Sequence, residues 1–212
     1  MSVEILVNGP AEAPLTVVLA HGAGAPMDSA FMTWFAEGLA AGQGYRVARF
    51  EFPYMAERRS GGRKRPPDTR PVLLASYREA LAELDLPPNR LVIGGKSLGG
   101  RIASLLADEV GVRGLVCLGY PFHPAGRPEA PRTDHLRAMA TPTLICQGTR
   151  DTLGRRETVM GYDLSPAIHL HWIEGGDHSF KPTRASGHSE TDTLGQALDA
   201  VRSFLRSLVV LQ

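Results

Sequence analysis

Three residues of this 212-residue chain have the types and the placing to perform acyl transfer: Ser97, Asp151 and His178. Ser97 sits in Gly95-Lys96-Ser97-Leu98-Gly99, directly after the apolar run Leu91–Gly94 and before an amphipathic segment with Leu98, Ile102, Leu105 and Leu106 at helical spacing. That pattern is strand, sharp turn, helix, with a hydroxyl at the apex. A neutral serine is a weak nucleophile and needs a base. His178 supplies one, because imidazole titrates near neutrality and can return the proton to a leaving group. Asp151 would fix the tautomer of His178 and stabilise its cation. The chain order Ser, Asp, His differs from the two other well-known serine triads.

Rival readings of the same letters are weaker. Gly95-Lys96-Ser97 also ends a phosphate-binding loop, but that motif needs glycine where Arg90 stands. His188 is a second candidate base, though not directly past a strand. Asp163 rivals Asp151, but no strand delivers it; Asp151 alone could equally cap a helix. His169 and His171 share a strand face, yet no third ligand is evident, so no metal is expected. No cofactor is expected either. Lys96 has the plain reading of a turn residue pointing to solvent, with an influence on the neighbouring site left open, and His21 reads as a brace for the loop it begins.

The elements needed to position these residues follow from periodicity. Leu15–Ala20, Tyr45–Phe52, Leu91–Gly94, Gly114–Gly119, Thr141–Gln147 and Ala167–Ile173 read as strands, with Val3–Val7 as a short first one. Helical patterns lie between them: Phe31, Trp34, Phe35 and Leu39; then Leu74, Tyr77, Leu81 and Leu84 after Pro71; and last the stripe Leu194, Ala197, Leu198, Val201, Phe204, Leu205 and Leu208. Alternating strands and helices imply a mostly parallel sheet of six to seven strands, helices on both faces, in one domain spanning 1–212. In such sheets function gathers beyond the carboxyl ends of the strands. There stand His21-Gly22-Ala23-Gly24, Ser97, Tyr120-Pro121-Phe122-His123, Asp151 and His178. The oxyanion donors are expected from the amides of Leu98, Ala23 and Gly24, and substrate contacts from Tyr120 and Phe122.

Pro53–Pro71 is compositionally odd. It carries Arg58, Arg59, Arg63, Lys64, Arg65 and Arg70 among Gly and Pro, and reads as a loop. A solvated connection is the plain reading. A flap favouring anionic substrates or partners is the functional one.

A net charge of +1 gives no global pull toward nucleic acid or membranes, so a small-molecule ester is the expected partner. Cys117 and Cys146 lie in apolar runs and read as reduced core thiols. No charged start and apolar run precede the first strand, so no signal peptide is expected and the cytoplasm is the expected location.

Six blocks carry a resemblance: His21-Gly22-Ala23-Gly24-Ala25, Phe52-Pro53-Tyr54-Met55, Arg65-Pro66-Pro67-Asp68, Gly95-Lys96-Ser97-Leu98-Gly99-Gly100, Gln147-Gly148-Thr149-Arg150-Asp151 and Gly176-Asp177-His178-Ser179-Phe180. With them the chain resembles the α/β-hydrolase superfamily over nearly its full length. More narrowly it is similar to a dienelactone-hydrolase-like group that includes the testis-expressed protein 30 and the hydrolase-like domain of a histone acetyltransferase complex subunit. The resemblance implies a serine esterase or thioesterase with Ser97, Asp151 and His178 as its triad. It also admits a scaffold protein, using the basic stretch 58–70 as its contact surface. The segment Pro121–Thr141 is too short for a full cap domain, and the antiparallel strands that open larger relatives are expected to be reduced or missing.

Overall fold

The computed structural model describes residues 3–41 and 44–210. Its sheet has seven strands in the order β1-β3-β2-β4-β5-β6-β7. These are β1 (Ile5–Asn8), β2 (Thr16–Ala20), β3 (Arg46–Phe50), β4 (Leu91–Lys96), β5 (Gly114–Leu118), β6 (Thr143–Gly148) and β7 (Ile168–Ile173). β1 runs antiparallel to β3 at one edge; every other neighbouring pair is parallel. Parallel pairing aims all the later strand ends at one rim, where the chemistry-bearing residues were expected.

β2, β4, β5 and β6 are buried along their whole length. Their residues alternate between two cores. Val17, Val92, Val116 and Leu144 face α1 (Ala30–Ala40) and α7 (Glu190–Val210). Val18, Ile93, Leu115 and Ile145 face α3 (Arg70–Leu84) and α4 (Leu98–Ser104). Cys117 belongs to one core and Cys146 to the other, so the sheet itself separates the two free thiols. On α7 the buried set Leu194, Ala197, Leu198, Val201, Leu205 and Leu208 keeps the expected stripe.

Three expectations shift. The segment after β3 is not wholly loop: Pro53–Arg59 forms α2. Proline at the first helical position is pre-organised for it, Tyr54 and Met55 bury, and Arg58 and Arg59 suit the negative C-terminal end. On α3 the buried face is Leu73, Ser76, Tyr77, Ala80 and Leu81, with Leu74 and Leu84 only partly covered. The Tyr77 hydroxyl explains the turn of that face. It lies 2.8 Å from the carbonyl oxygens of both Val18 and Gly94, and it accepts the Gly94 amide at 3.0 Å. The run expected as one helix after Ser97 stops at Ser104, and a short α5 (Ala107–Val110) follows. A further short α6 covers Arg156–Val159. Between β5 and β6 the regular structure is one 3-10 turn, Asp134–Arg137.

Among the described residues no helix is long and apolar enough to cross a membrane. His135, in that 3-10 turn, packs against Ser104 at 2.8 Å, and burial pushes its titration down to about 4. A histidine that charges more readily when unfolded costs the fold stability as pH falls from 6.5 toward 4. Because the ring is only partly buried, the loss attributable to it should be about 1 kcal/mol after allowing for solvent. Urea unfolding at pH 7 and pH 4.5 should therefore show a smaller pH dependence in His135→Gln than in the native chain.

Candidate active site

Ser97 occupies the turn between β4 and α4 with φ 49° and ψ −109°. A non-glycine residue there is strained, and such strain persists only where the surroundings fix it. Gly95 and Gly99 fix it. A Cβ at either position would run into the Ala20 carbonyl of the neighbouring strand. The two glycines are small because β2 passes directly against the turn.

The structure brings together the three residues that the chain order singled out. The Ser97 Oγ lies 2.8 Å from His178 Nε2, and His178 Nδ1 lies 2.7 Å from Asp151 Oδ2. Asp151 follows β6, is fully buried, and accepts two further hydrogen bonds: Gln147 Nε2 to Oδ2 at 2.8 Å and the Leu153 amide to Oδ1 at 2.8 Å. The second of these closes a tight turn over residues 151–154; the next helix starts only at Arg156 with Arg155 at its N-cap, so Asp151 caps no helix and that rival reading falls. The His178 side chain is 28% exposed, which leaves its outer edge open to the rim. His188 and Asp163 stay outside: His188 is exposed, and Asp163 pairs with Arg137 at the surface.

A cavity of about 390 Å³ opens over Ser97 and His178. Its floor includes Gly22, Ala23 and Gly24, and its walls include Phe31, Met32 and Leu153. A hollow of about 460 Å³ between the ends of α1 and α7 is larger but carries no nucleophile. Leu98 opens α4, so its amide has no intrahelical acceptor, and neither it nor the Ala23 amide donates elsewhere among the described residues.

The loop carrying Ala23 is held from several sides. His21 is buried; its Nε2 accepts the Phe52 amide at 3.1 Å and its Nδ1 lies 2.7 Å from the Gly22 carbonyl. Burial depresses its titration, which keeps a ring nitrogen free to accept. The Tyr54 hydroxyl donates to the Ala23 carbonyl at 3.1 Å, while the Tyr54 amide donates to Asp68 and Asp68 pairs with Arg65. Arg59 joins the buried Glu51 to Asp28, and Glu51 accepts the Met27 amide. The arginines 59 and 65 of the basic segment are thus bound to the protein's own carboxylates. Removing Arg59 leaves Glu51 buried without its cation, so Arg59→Ala should cost about 2 kcal/mol in chemical denaturation.

Tyr120 and Phe122 do not reach the cavity. Both are fully buried: the Tyr120 amide donates to Gln147, its hydroxyl to the Arg132 carbonyl, and the Phe122 ring stacks on Tyr162 at 5.8 Å. The expectation of substrate contacts is corrected accordingly; their position past β5 is right, but the side chains turn into the core. Lys96 is corrected too. It is 8% exposed, and its ammonium donates to the His178 carbonyl at 2.6 Å. Gln147 and Tyr54, which hold Asp151 and the Ala23 loop, stand in the blocks that carry the resemblance but were given no role there, because a polar residue inside an apolar strand and a tyrosine after a proline carry no spacing signal. Among the described residues no group of three metal-ligating side chains is arranged around a common point.

A family model described as an alpha/beta hydrolase domain matches residues 13–206. Among solved structures, an alpha-beta serine hydrolase homologue from Coxiella burnetii has a TM-score of 0.71 at 20% identity, covering 97% of this chain and 91% of that one. A serine hydrolase without a lid from Xanthomonas campestris has a TM-score of 0.70 at 21% identity, covering 95% and 89%. A dienelactone hydrolase from Anabaena variabilis has a TM-score of 0.67 at 20% identity, covering 93% and 89%. At these identities the likeness is one of fold.

Proposed function

We propose that this chain, which belongs to the alpha/beta hydrolase domain family, cleaves small ester or thioester bonds through an acyl-enzyme on Ser97. The observation that carries this reading is the unbroken run of hydrogen bonds from Ser97 through His178 to the buried Asp151, ending in an open cavity. In it Ser97 Oγ attacks the carbonyl carbon while His178 Nε2 takes the hydroxyl proton. Asp151 holds the Nδ1 proton and balances the imidazolium. The carbonyl oxygen, now an anion, is bound by the amides of Leu98 and Ala23, with Gly24 beside them. Collapse expels the alcohol or thiol, which takes the proton from His178; water then repeats the sequence and frees the acid.

The walls Phe31, Met32 and Leu153 favour a short apolar acyl group, and the low, uncapped rim suits a leaving group that projects into solvent. Across p-nitrophenyl esters of rising acyl length, kcat/KM should pass through a maximum at short to medium chains; a folded protein that turns over none of them overturns the reading. We also infer that the chain sits with the dienelactone-hydrolase-like group containing the testis-expressed protein 30, on the six blocks quoted above, and that it works in the reducing cytoplasm, which suits two unpaired buried thiols. A scaffold role through the basic stretch is less favoured, since two of its arginines are already neutralised internally.

A further inference from the structure

We propose that Lys96 is a positioning residue of this site: from the position next to Ser97 it grips the main-chain carbonyl of His178 and so sets the imidazole against the hydroxyl. The kinetic consequence rests on the hydrolase reading above; the grip itself does not.

The lysine occupies a slot made for it. It is the last residue of β4, and its side chain runs under the cavity instead of out to solvent. Its Nζ lies 2.6 Å from the His178 oxygen and 5.4 Å from the centre of the Phe31 ring. A Cβ on Gly22 would stand 3.3 Å from Lys96 Cγ. Gly119, past the end of β5, has φ 69°, and a Cβ there would stand 2.8 Å from Nζ, 2.6 Å from the His178 oxygen and 3.5 Å from His178 Cε1. The loop after β2, the end of β5 and the face of α1 all leave room for one ammonium and its carbonyl. The grip ties the serine turn to the histidine loop, two segments far apart in the chain, through one bond.

The charged groups facing Nζ are Asp151 from the end of β6 and Asp177 from the loop after β7, with His178 beside them; α1 presents only the Phe31 ring and β5 only backbone. Burial pushes the ammonium down to about 8 from 10.5, against the pull of the two carboxylates. Between those pH values the unfolded chain binds the extra proton, so the fold gains stability as pH rises and the buried charge is a cost at neutrality. Stability alone therefore does not account for a lysine here. Placement does: the ammonium makes a charge-assisted bond to a carbonyl that a neutral side chain would hold more weakly.

The test combines kinetics on a p-nitrophenyl ester with amide hydrogen exchange. In Lys96→Met, kcat should fall about tenfold to a hundredfold, the range expected when a catalytic group is displaced by a fraction of an ångström to an ångström, with KM little changed. Amides of Ser179, Phe180 and Lys181 should exchange faster. Native activity should decline as pH rises through about 8, and the variant should lack that limb. Gly119→Ala keeps the lysine but wedges a methyl between Nζ and the carbonyl; it should reproduce the kcat loss, and the double variant should be no worse than Lys96→Met. If Lys96→Met does not fold, Gly119→Ala decides by the same readouts. Unchanged kcat together with unchanged exchange overturns the proposal. Should the native protein hydrolyse no ester, the hydrolase reading fails separately, and faster or unchanged exchange in Lys96→Met still decides whether the grip exists.

Discussion

Replacing Ser97 by alanine should lower ester turnover by about 10⁵-fold or more, because the members of a serine triad act as a unit and what remains comes from binding and the oxyanion donors alone. The loss should fall on kcat. Stability should scarcely change, since among the described residues the Ser97 hydroxyl hydrogen-bonds only to His178 and Ala occupies the same strained backbone. Ser97→Gly separates chemistry from strain more sharply. It is expected to be equally inactive, yet more stable than the native chain by about 1 kcal/mol: glycine removes the cost of a side chain at φ 49°, partly offset by its greater freedom when unfolded. A rise in the urea midpoint with abolished turnover would tie the backbone strain to the hydroxyl it presents. A fall in the midpoint would mean that the turn is not strained as described.

Asp151→Asn should reduce kcat by about 10⁴-fold and also weaken the fold by about 1–3 kcal/mol. The reason lies in its partners. Asp151 accepts from His178 Nδ1, Gln147 Nε2 and the Leu153 amide, all donors, and it is wholly buried. Asparagine has one acceptor oxygen and two donor hydrogens. Whichever way it turns, a donor faces a donor in a buried site. If the NH₂ faces His178, the ring is driven to the tautomer that carries its proton on Nε2, where it cannot take one from Ser97. Steady-state kinetics and urea unfolding on the same preparation would measure both effects. Full activity in Asp151→Asn would show that the carboxylate is not what orients His178.

How far these features were readable from sequence varies by cause. Ser97 and the strand before it were legible because a strained turn against a neighbouring strand demands glycine at fixed offsets, and glycine shows in the letters. Asp151 and His178 were legible because parallel strands end at one rim, so residues just past them must meet. The stripe on α7 was legible because one side of that helix meets water. The misreadings have the opposite character. The helix Pro53–Arg59 hid behind its arginines, since the carboxylates that neutralise Arg59, Glu51 and Asp28, are distant in sequence or precede it without a motif. Tyr120 and Phe122 were placed correctly along the chain but not in rotation, because a strand end gives no period from which to tell inward from outward. Lys96 was taken for a solvated turn residue, since the slot that receives it is built by Gly22, Phe31 and Gly119, and only folding assembles them.

The most direct measurement is intact-mass and peptide analysis of the folded protein after a fluorophosphonate, which reacts only with a serine whose base is in place. A single adduct on the peptide containing Ser97, absent from Ser97→Ala and strongly slowed in His178→Ala, is the predicted result. A natively folded protein that takes up no label, or takes it elsewhere, would contradict the account.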